Sequence, residues 1–220
     1  MNINLIIQAR MSSSRFPGKV LAPVNGKPMI SHVVERLNRA FNKSAIIIAT
    51  SDETSDAPLA LYGHSLGVTV FRGSLNDVFE RFRVCLQENP CDWFFRVSAD
   101  SPYLNSKILT TMASYVDDSL DLITNVQKRT FPHGHSLELL NAKTFCRIDP
   151  SRLSADDREH VTKFYYAHTG EFRILNFENM DPDYARLNFV VDTLDDLRRV
   201  EELENTVGSD FIPQVKVTAE

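Results

Sequence analysis

At 220 residues, with 43% hydrophobic and 24% charged positions, the chain is long enough for one domain with a substantial core and needs no disulfide framework. A net charge of −5 excludes a general nucleic-acid binder, and three cysteines without CxxC spacing read as reduced thiols. No run of about 18 apolar residues is present to cross a membrane, and the N-terminal apolar run is too short for a signal peptide, so a cytoplasmic protein without membrane or nucleic-acid partners is expected.

The segments INLII (3–7) and AIIIAT (45–50) are β-branched runs of the buried-strand type. Between them Pro28 opens a helix with Ile30, Val33, Val34 and Leu37 on one face. GVTVFRG (67–73) predicts a short strand. Ser74 is placed to cap the following helix, with Asp77 in its first turn and Val78, Phe82 and Cys85 facing inward. DWFFRVSAD (92–100) is a fourth strand ending in an acid, followed by a helix around 106–116 and a strand at DLITN (121–125). This alternation predicts an α/β protein of three layers, α/β/α, with a mostly parallel sheet.

The second half is less regular. HGHSLELL (133–140) predicts a strand leaving a loop, 155–168 a helix, and FRILNF (172–177) an edge or hairpin strand. RLNFVVDT (186–193) predicts a strand, and Thr193 caps a last helix with Leu194, Leu197, Val200 and Leu203 on its inner face. There is no repeat and no low-complexity linker, so residues 1–220 form a single domain. Ligands of open α/β sheets bind beyond the carboxyl ends of the strands, which singles out 8–19, 98–102 and 192–193.

Charge is unevenly spread. Residues 1–43 hold seven cations and one acid, so the remaining 177 residues carry net −11. Three of those cations fall in QARMSSSRFPGK (8–19), which turns away from the first strand. Such a turn presents backbone N–H groups to an anion, and Arg10, Arg15 and Lys19 add charge-assisted bonds, which suits a polyphosphate. It is not a Walker loop, because the upstream glycine and the Ser/Thr after lysine are missing. Asp100 in VSADSPYL (97–104) and Asp192 in NFVVDTLDDL (188–197) each end an apolar strand. Either alone could be a turn or helix cap. Two strand-end carboxylates beside a cationic loop fit a magnesium site for phosphoryl or nucleotidyl transfer, since Mg²⁺ takes one or two carboxylates together with phosphate oxygens.

In this order, IIQARMSSSRFPGKVL (6–21), VFRGSLNDVFERF (70–82), RVSADSPYL (96–104), REHVTKFYY (158–166) and RLNFVVDTLDDL (186–197) resemble the cytidylyltransferases of sugar-nucleotide synthesis. The likeness is to the spore-coat polysaccharide (SpsF-like) branch, related to the acylneuraminate cytidylyltransferases. The resemblance implies a nucleotide-diphospho-sugar transferase (Rossmann-like) fold, CTP and an acidic or modified sugar as substrates, Mg²⁺, and a homodimer. It implies triphosphate contacts for Arg10 and Lys19, with Gln8, Ala9, Ser14 and Arg15 in the same substrate-binding loop, and a metal site at Asp100 and Asp192. It places Arg72 near the nucleotide and assigns Arg158 and His160 of the REH motif to the sugar side or the dimer contact. Glu138, in a Pro-x-Gly…Glu segment, falls on the sugar. Residues 1–125 then form a nucleotide-binding half and 126–220 a sugar-binding and dimerisation half.

His133 and His135 flank Gly134, and substrate hydrogen bonding or solvent exposure is expected for them rather than a metal, because no further Cys or His is spaced to help. If 133–138 is extended, Ser136 and Glu138 share one face and the two histidines the other. Use of another nucleoside triphosphate, or a non-catalytic nucleotide-sugar binder, are the alternative functions. A glycosyltransferase on this fold would carry a DxD motif, and Ser98 stands where its first acid belongs.

Overall fold

The computed structural model describes residues 1–206 and 214–219. β1 (Ile3–Gln8) leads through the cationic loop into a two-residue-strand hairpin, β2 (Pro23–Val24) and β3 (Lys27–Pro28), and then α1 (Met29–Ala40). β4 (Ile46–Ser51), α2 (Ala57–Ser65), β5 (Thr69–Gly73), α3 (Val78–Glu88), β6 (Trp93–Ser98), α4 (Ser106–Ala113) and β7 (Leu122–Thr124) continue the alternation. β8 (Glu138–Asn141), α5 (Ala142–Arg147), α6 (Ala155–Glu159), α7 (Lys163–Ala167), β9 (Ile174–Asn179), α8 (Pro182–Ala185), α9 (Leu194–Thr206) and β10 (Val215–Ala219) complete it.

Eight strands form one sheet in the order β10-β9-β7-β8-β6-β1-β4-β5. Six run the same way, while β8 and β10 pair antiparallel to their neighbours, so the sheet is mixed though mostly parallel, as expected. The central strands β1 and β4 are buried on both faces and their side chains alternate between two cores. Leu5, Ile7, Ile46 and Ile48 pack with α1, α2 and α4, and Ile6 and Ile47 pack with α3, α5 and α7. That is the expected three-layer architecture. Among the described residues, no helix is long and apolar enough to cross a membrane.

Five local expectations change. Asp77, not Ser74, caps α3: its carboxylate accepts from Glu80 N at 2.8 Å, and Ser74 Oγ instead accepts from Asp77 N at 3.0 Å. The 155–168 helix is two short ones, because His160 leaves helical geometry and Val161 turns fully into the core. β9 lies inside the sheet between β7 and β10 rather than at its edge. Leu194 is 68% exposed, while Leu197 and Val200 of α9 are buried. The apolar run 186–193 is no strand: it touches the sheet system by one bridge, His133 to Asn188. Its backbone is satisfied elsewhere. Phe189 N donates to His133 O (2.7 Å), Val191 N to Asp100 O (2.9 Å), and the Arg199 guanidinium donates to the carbonyls of Asn188 and Val190.

His135 is the sharpest correction, for it is not exposed, and both of its ring nitrogens are bonded within the protein. It is wholly buried, stacked 4.4 Å from the Phe189 ring. The Tyr103 carbonyl can only accept, so His135 Nε2–H donates to it and Nδ1 accepts from the Tyr184 hydroxyl. Burial pushes its pKa down to about 4 from 6.5, against the bond to Tyr103 and with help from Arg36. The unfolded chain therefore takes up this proton first as pH falls. Stability contributed by neutral His135 is complete above pH 6.5 and is lost as pH drops toward 4. Between pH 7 and pH 4 this amounts to about 3 kcal/mol. Urea unfolding of His135→Gln should show a loss smaller by that amount over the same window.

Candidate active site

The loop after β1 is folded around Met11. The Met11 carbonyl accepts from Ser13 N (3.0 Å) and Gly18 N (2.8 Å), and Met11 N donates to Asp56 Oδ1 at 2.7 Å. Asp56 is fully buried and also accepts from Thr50 Oγ1, Ser51 N and Ser51 Oγ. Burial would raise its pKa, but these bonds outweigh it and hold the carboxyl below its usual value. Asp56→Ala would leave those donors without an acceptor in the interior. It should lower the unfolding free energy in urea by about 3 kcal/mol and loosen the loop. Gly18, at φ +75°, then opens the 3-10 turn Lys19–Leu21 that carries Lys19 inward.

Lys19 meets both expected acids, Asp100 just beyond β6 and Asp192 at the end of the apolar run 186–193. Its Nζ donates to Asp192 Oδ1 at 2.9 Å, to Val191 O at 2.8 Å and, at 3.4 Å, to Asp100 Oδ2. Arg15 reaches the other oxygen of Asp192 at 2.8 Å, and Arg10 stands 3.9 Å from Glu159. The like charges of the loop are thus balanced by acids from remote parts of the chain. Gln8, Ala9, Arg10, Ser14, Arg15, Lys19, Asp100, His160 and Asp192 all line one open cavity of about 380 Å³ beyond the ends of β1 and β6.

Asp100 and Asp192 fit a hard divalent cation. Both carboxylates converge on the one ammonium, so two hard oxygen donors lie close together at the cavity. Two carboxylates with the rest of the shell left to phosphate and water can hold a divalent metal ion.

A second cavity of about 560 Å³ adjoins the first, sharing Arg96, Ser98 and His160 and adding Ser136, Glu138 and Tyr166. Ser136 and Glu138 do share a face, as the alternation implied, while His135 turns the other way. Glu138 is 7% exposed at its side chain, and each oxygen is already engaged, Oε2 by Arg96 at 2.8 Å and Oε1 by the Tyr166 hydroxyl at 2.7 Å. Two expected contacts line neither cavity. Arg72 donates to the carbonyls of Ser51 (3.0 Å) and Glu53 (2.8 Å), tying down the loop that holds Asp56. Arg158 pairs with Asp77 and donates to Pro150 O at 2.7 Å, joining α6 to the start of α3. Arg96, Tyr166 and Asp56 were not among the expected site residues, although the cation inside the apolar strand WFFRVS was a usable signal for the first.

A family model described as cytidylyltransferase matches residues 4–214. The Bacillus subtilis spore coat polysaccharide biosynthesis protein SpsF is 30% identical over 94% of this chain and 88% of its own length. An 8-amino-3,8-dideoxy-manno-octulosonate cytidylyltransferase of Shewanella woodyi is 49% identical, but over only 31% of this chain and 28% of its own. Among solved structures, a cytidylyltransferase from Leptospira borgpetersenii superposes with TM-score 0.88 at 26% identity, covering 96% of this chain and 90% of that one. A CMP:2-keto-3-deoxy-manno-octonic acid synthetase complexed with CTP shares the fold, at TM-score 0.70 and 18% identity over 93% of this chain and 99% of its own. The family match runs through the cationic loop and both aspartates that meet it, so the chain belongs to the cytidylyltransferase family.

Proposed function

We propose that this cytidylyltransferase activates a sugar for surface polysaccharide, transferring CMP from CTP to an acidic or modified sugar and releasing pyrophosphate. The observation that carries this is the meeting of Lys19 with Asp100 and Asp192 at the mouth of a cavity lined by the cationic loop. Arg10, Arg15 and Lys19 neutralise the β- and γ-phosphates, whose charge grows as they leave. The sugar lies in the adjoining cavity with a hydroxyl aimed at the α-phosphorus. The new oxygen–phosphorus bond forms as the bond to pyrophosphate breaks, and the hydroxyl proton passes to solvent water. Asp100 and Asp192 would hold Mg²⁺, which when bound polarises the phosphate under attack. Residues 1–125 would serve chiefly the nucleotide and 126–220 the sugar and a homodimer contact, with Asp192 crossing that division into the nucleotide cavity.

The test is pyrophosphate release from each nucleoside triphosphate with Mg²⁺ and a panel of nonulosonic and other sugars. Release with CTP and one sugar class is the expected result, and no release with any combination would refute the reading.

A further inference from the structure

Arg96 stands where the two cavities meet, and its side chain is held from both sides. Gln8 Oε1 accepts from Nε at 3.2 Å and from Nη2 at 3.0 Å, and Glu138 Oε2 accepts from Nη1 at 2.8 Å. Glu138 is in turn fixed by the Tyr166 hydroxyl, itself 2.9 Å from Thr124 Oγ1. Arg96 and Glu138 face each other across the β6–β8 pairing, so backbone register sets their approach. A guanidinium carries five N–H donors, and the three bonds to Gln8 and Glu138 leave two without an acceptor among the described residues. Its side chain is 24% exposed, and Arg96 lines both cavities.

We infer that Arg96 contacts the phosphate under attack: its two remaining N–H groups bind the non-bridging oxygens of the nucleotide α-phosphate at the junction between the two cavities, and Gln8 and Glu138 are the positioning residues that aim them. This rests on the CTP-dependent reading above. The junction is where an acceptor in one cavity must meet the α-phosphorus of a nucleotide in the other. A planar fork clamped at two edges presents its free donors without a loss of side-chain freedom at the moment of reaction. During displacement the electron pair of the breaking bond leaves with pyrophosphate, the acceptor proton goes to water, and charge gathers on the non-bridging oxygens that Arg96 faces. An arginine present only to neutralise a buried carboxylate would have no use for two donors at the open junction.

Calorimetric binding of cytidine and CMP separates these roles, because the two ligands differ by the α-phosphate alone. The variant Arg96→Met/Glu138→Gln removes the guanidinium without leaving a buried unpaired carboxylate, and residue 138 can still accept from Tyr166. The native preference for CMP over cytidine should fall by about tenfold or more, with cytidine affinity unchanged. A folded double variant with the native preference overturns the assignment. If that variant fails to fold, Arg96→Lys keeps the charge beside Glu138 but loses the fork and should show a preference reduced by about threefold or more; an unchanged preference overturns the assignment equally. Native protein that binds no CMP overturns the CTP reading and the assignment together, whereas native CMP binding with an unaltered preference in the variants overturns the assignment alone.

Discussion

Asp100→Asn is expected to cut CTP-dependent pyrophosphate release by about a hundredfold or more while leaving cooperative unfolding in urea nearly unchanged. The two halves of that expectation have separate causes. Asp100 is one of two carboxylates at the cavity mouth, so its neutral replacement removes half of the protein's oxygen charge available to a divalent cation. The fold should survive because Lys19, 12% exposed at its side chain, is held by three acceptors and keeps its closer bonds to Asp192 and Val191 O. An asparagine carbonyl can still accept at the third position. Asp192→Asn should be at least as damaging to turnover, since Asp192 also anchors Arg15. An Asp100→Asn enzyme with native turnover would remove the metal assignment, and one that fails to unfold cooperatively would show that the acid serves the fold.

How much of this was visible in the sequence follows from the range over which each feature is encoded. The strands β1, β4 and β6 are written locally as β-branched and aromatic runs, though β1 runs one residue past the expected segment to Gln8 and β6 stops at Ser98, two residues before Asp100. Lys19 and Asp100 were legible because strand ends in an α/β sheet gather at one rim, whatever the strand order, whereas Asp192 reaches that rim from a run that is not a strand. The clamp on Arg96 was not, because it depends on which strand lies beside β6. That neighbour is β8, which runs antiparallel and brings Glu138 opposite Arg96 from 42 residues away. The run 186–193 has the composition of a buried strand, yet its backbone is bonded by Arg199, His133 and Asp100 rather than by a ladder. Composition reports burial there and says nothing of the partner. His135 misled for the same reason: a histidine between Gly134 and Ser136 looks like a surface loop residue until Tyr184 and Phe189 close over it.

Gly134→Ala should damage stability and activity together, through a path that begins far from the phosphate loop. Gly134 sits at φ +93°, and a Cβ built there would lie 2.8 Å from the Phe189 carbonyl carbon and 2.9 Å from its Cβ. The first of these is backbone, which cannot swing aside as a long side chain can. Phe189 is wholly buried and stacked on His135, so it has no room to retreat. Strain at positive φ and overpacking should together cost about 3 kcal/mol. Any relief must come from shifting the 189–192 backbone, and that segment supplies Val191 O and Asp192 to Lys19 and bonds Val191 N to Asp100 O. Activity should therefore fall by about tenfold or more, because small displacements of charged groups in an active site are felt strongly. Gly26→Ala separates the two contributions. Gly26 has φ +76°, yet a Cβ added there would meet nothing within 4 Å. That variant should lose about 1 kcal/mol in urea unfolding and no activity. Should Gly134→Ala cost no more than Gly26→Ala and retain native turnover, the close approach of the glycine to Phe189 does not set the position of the acids.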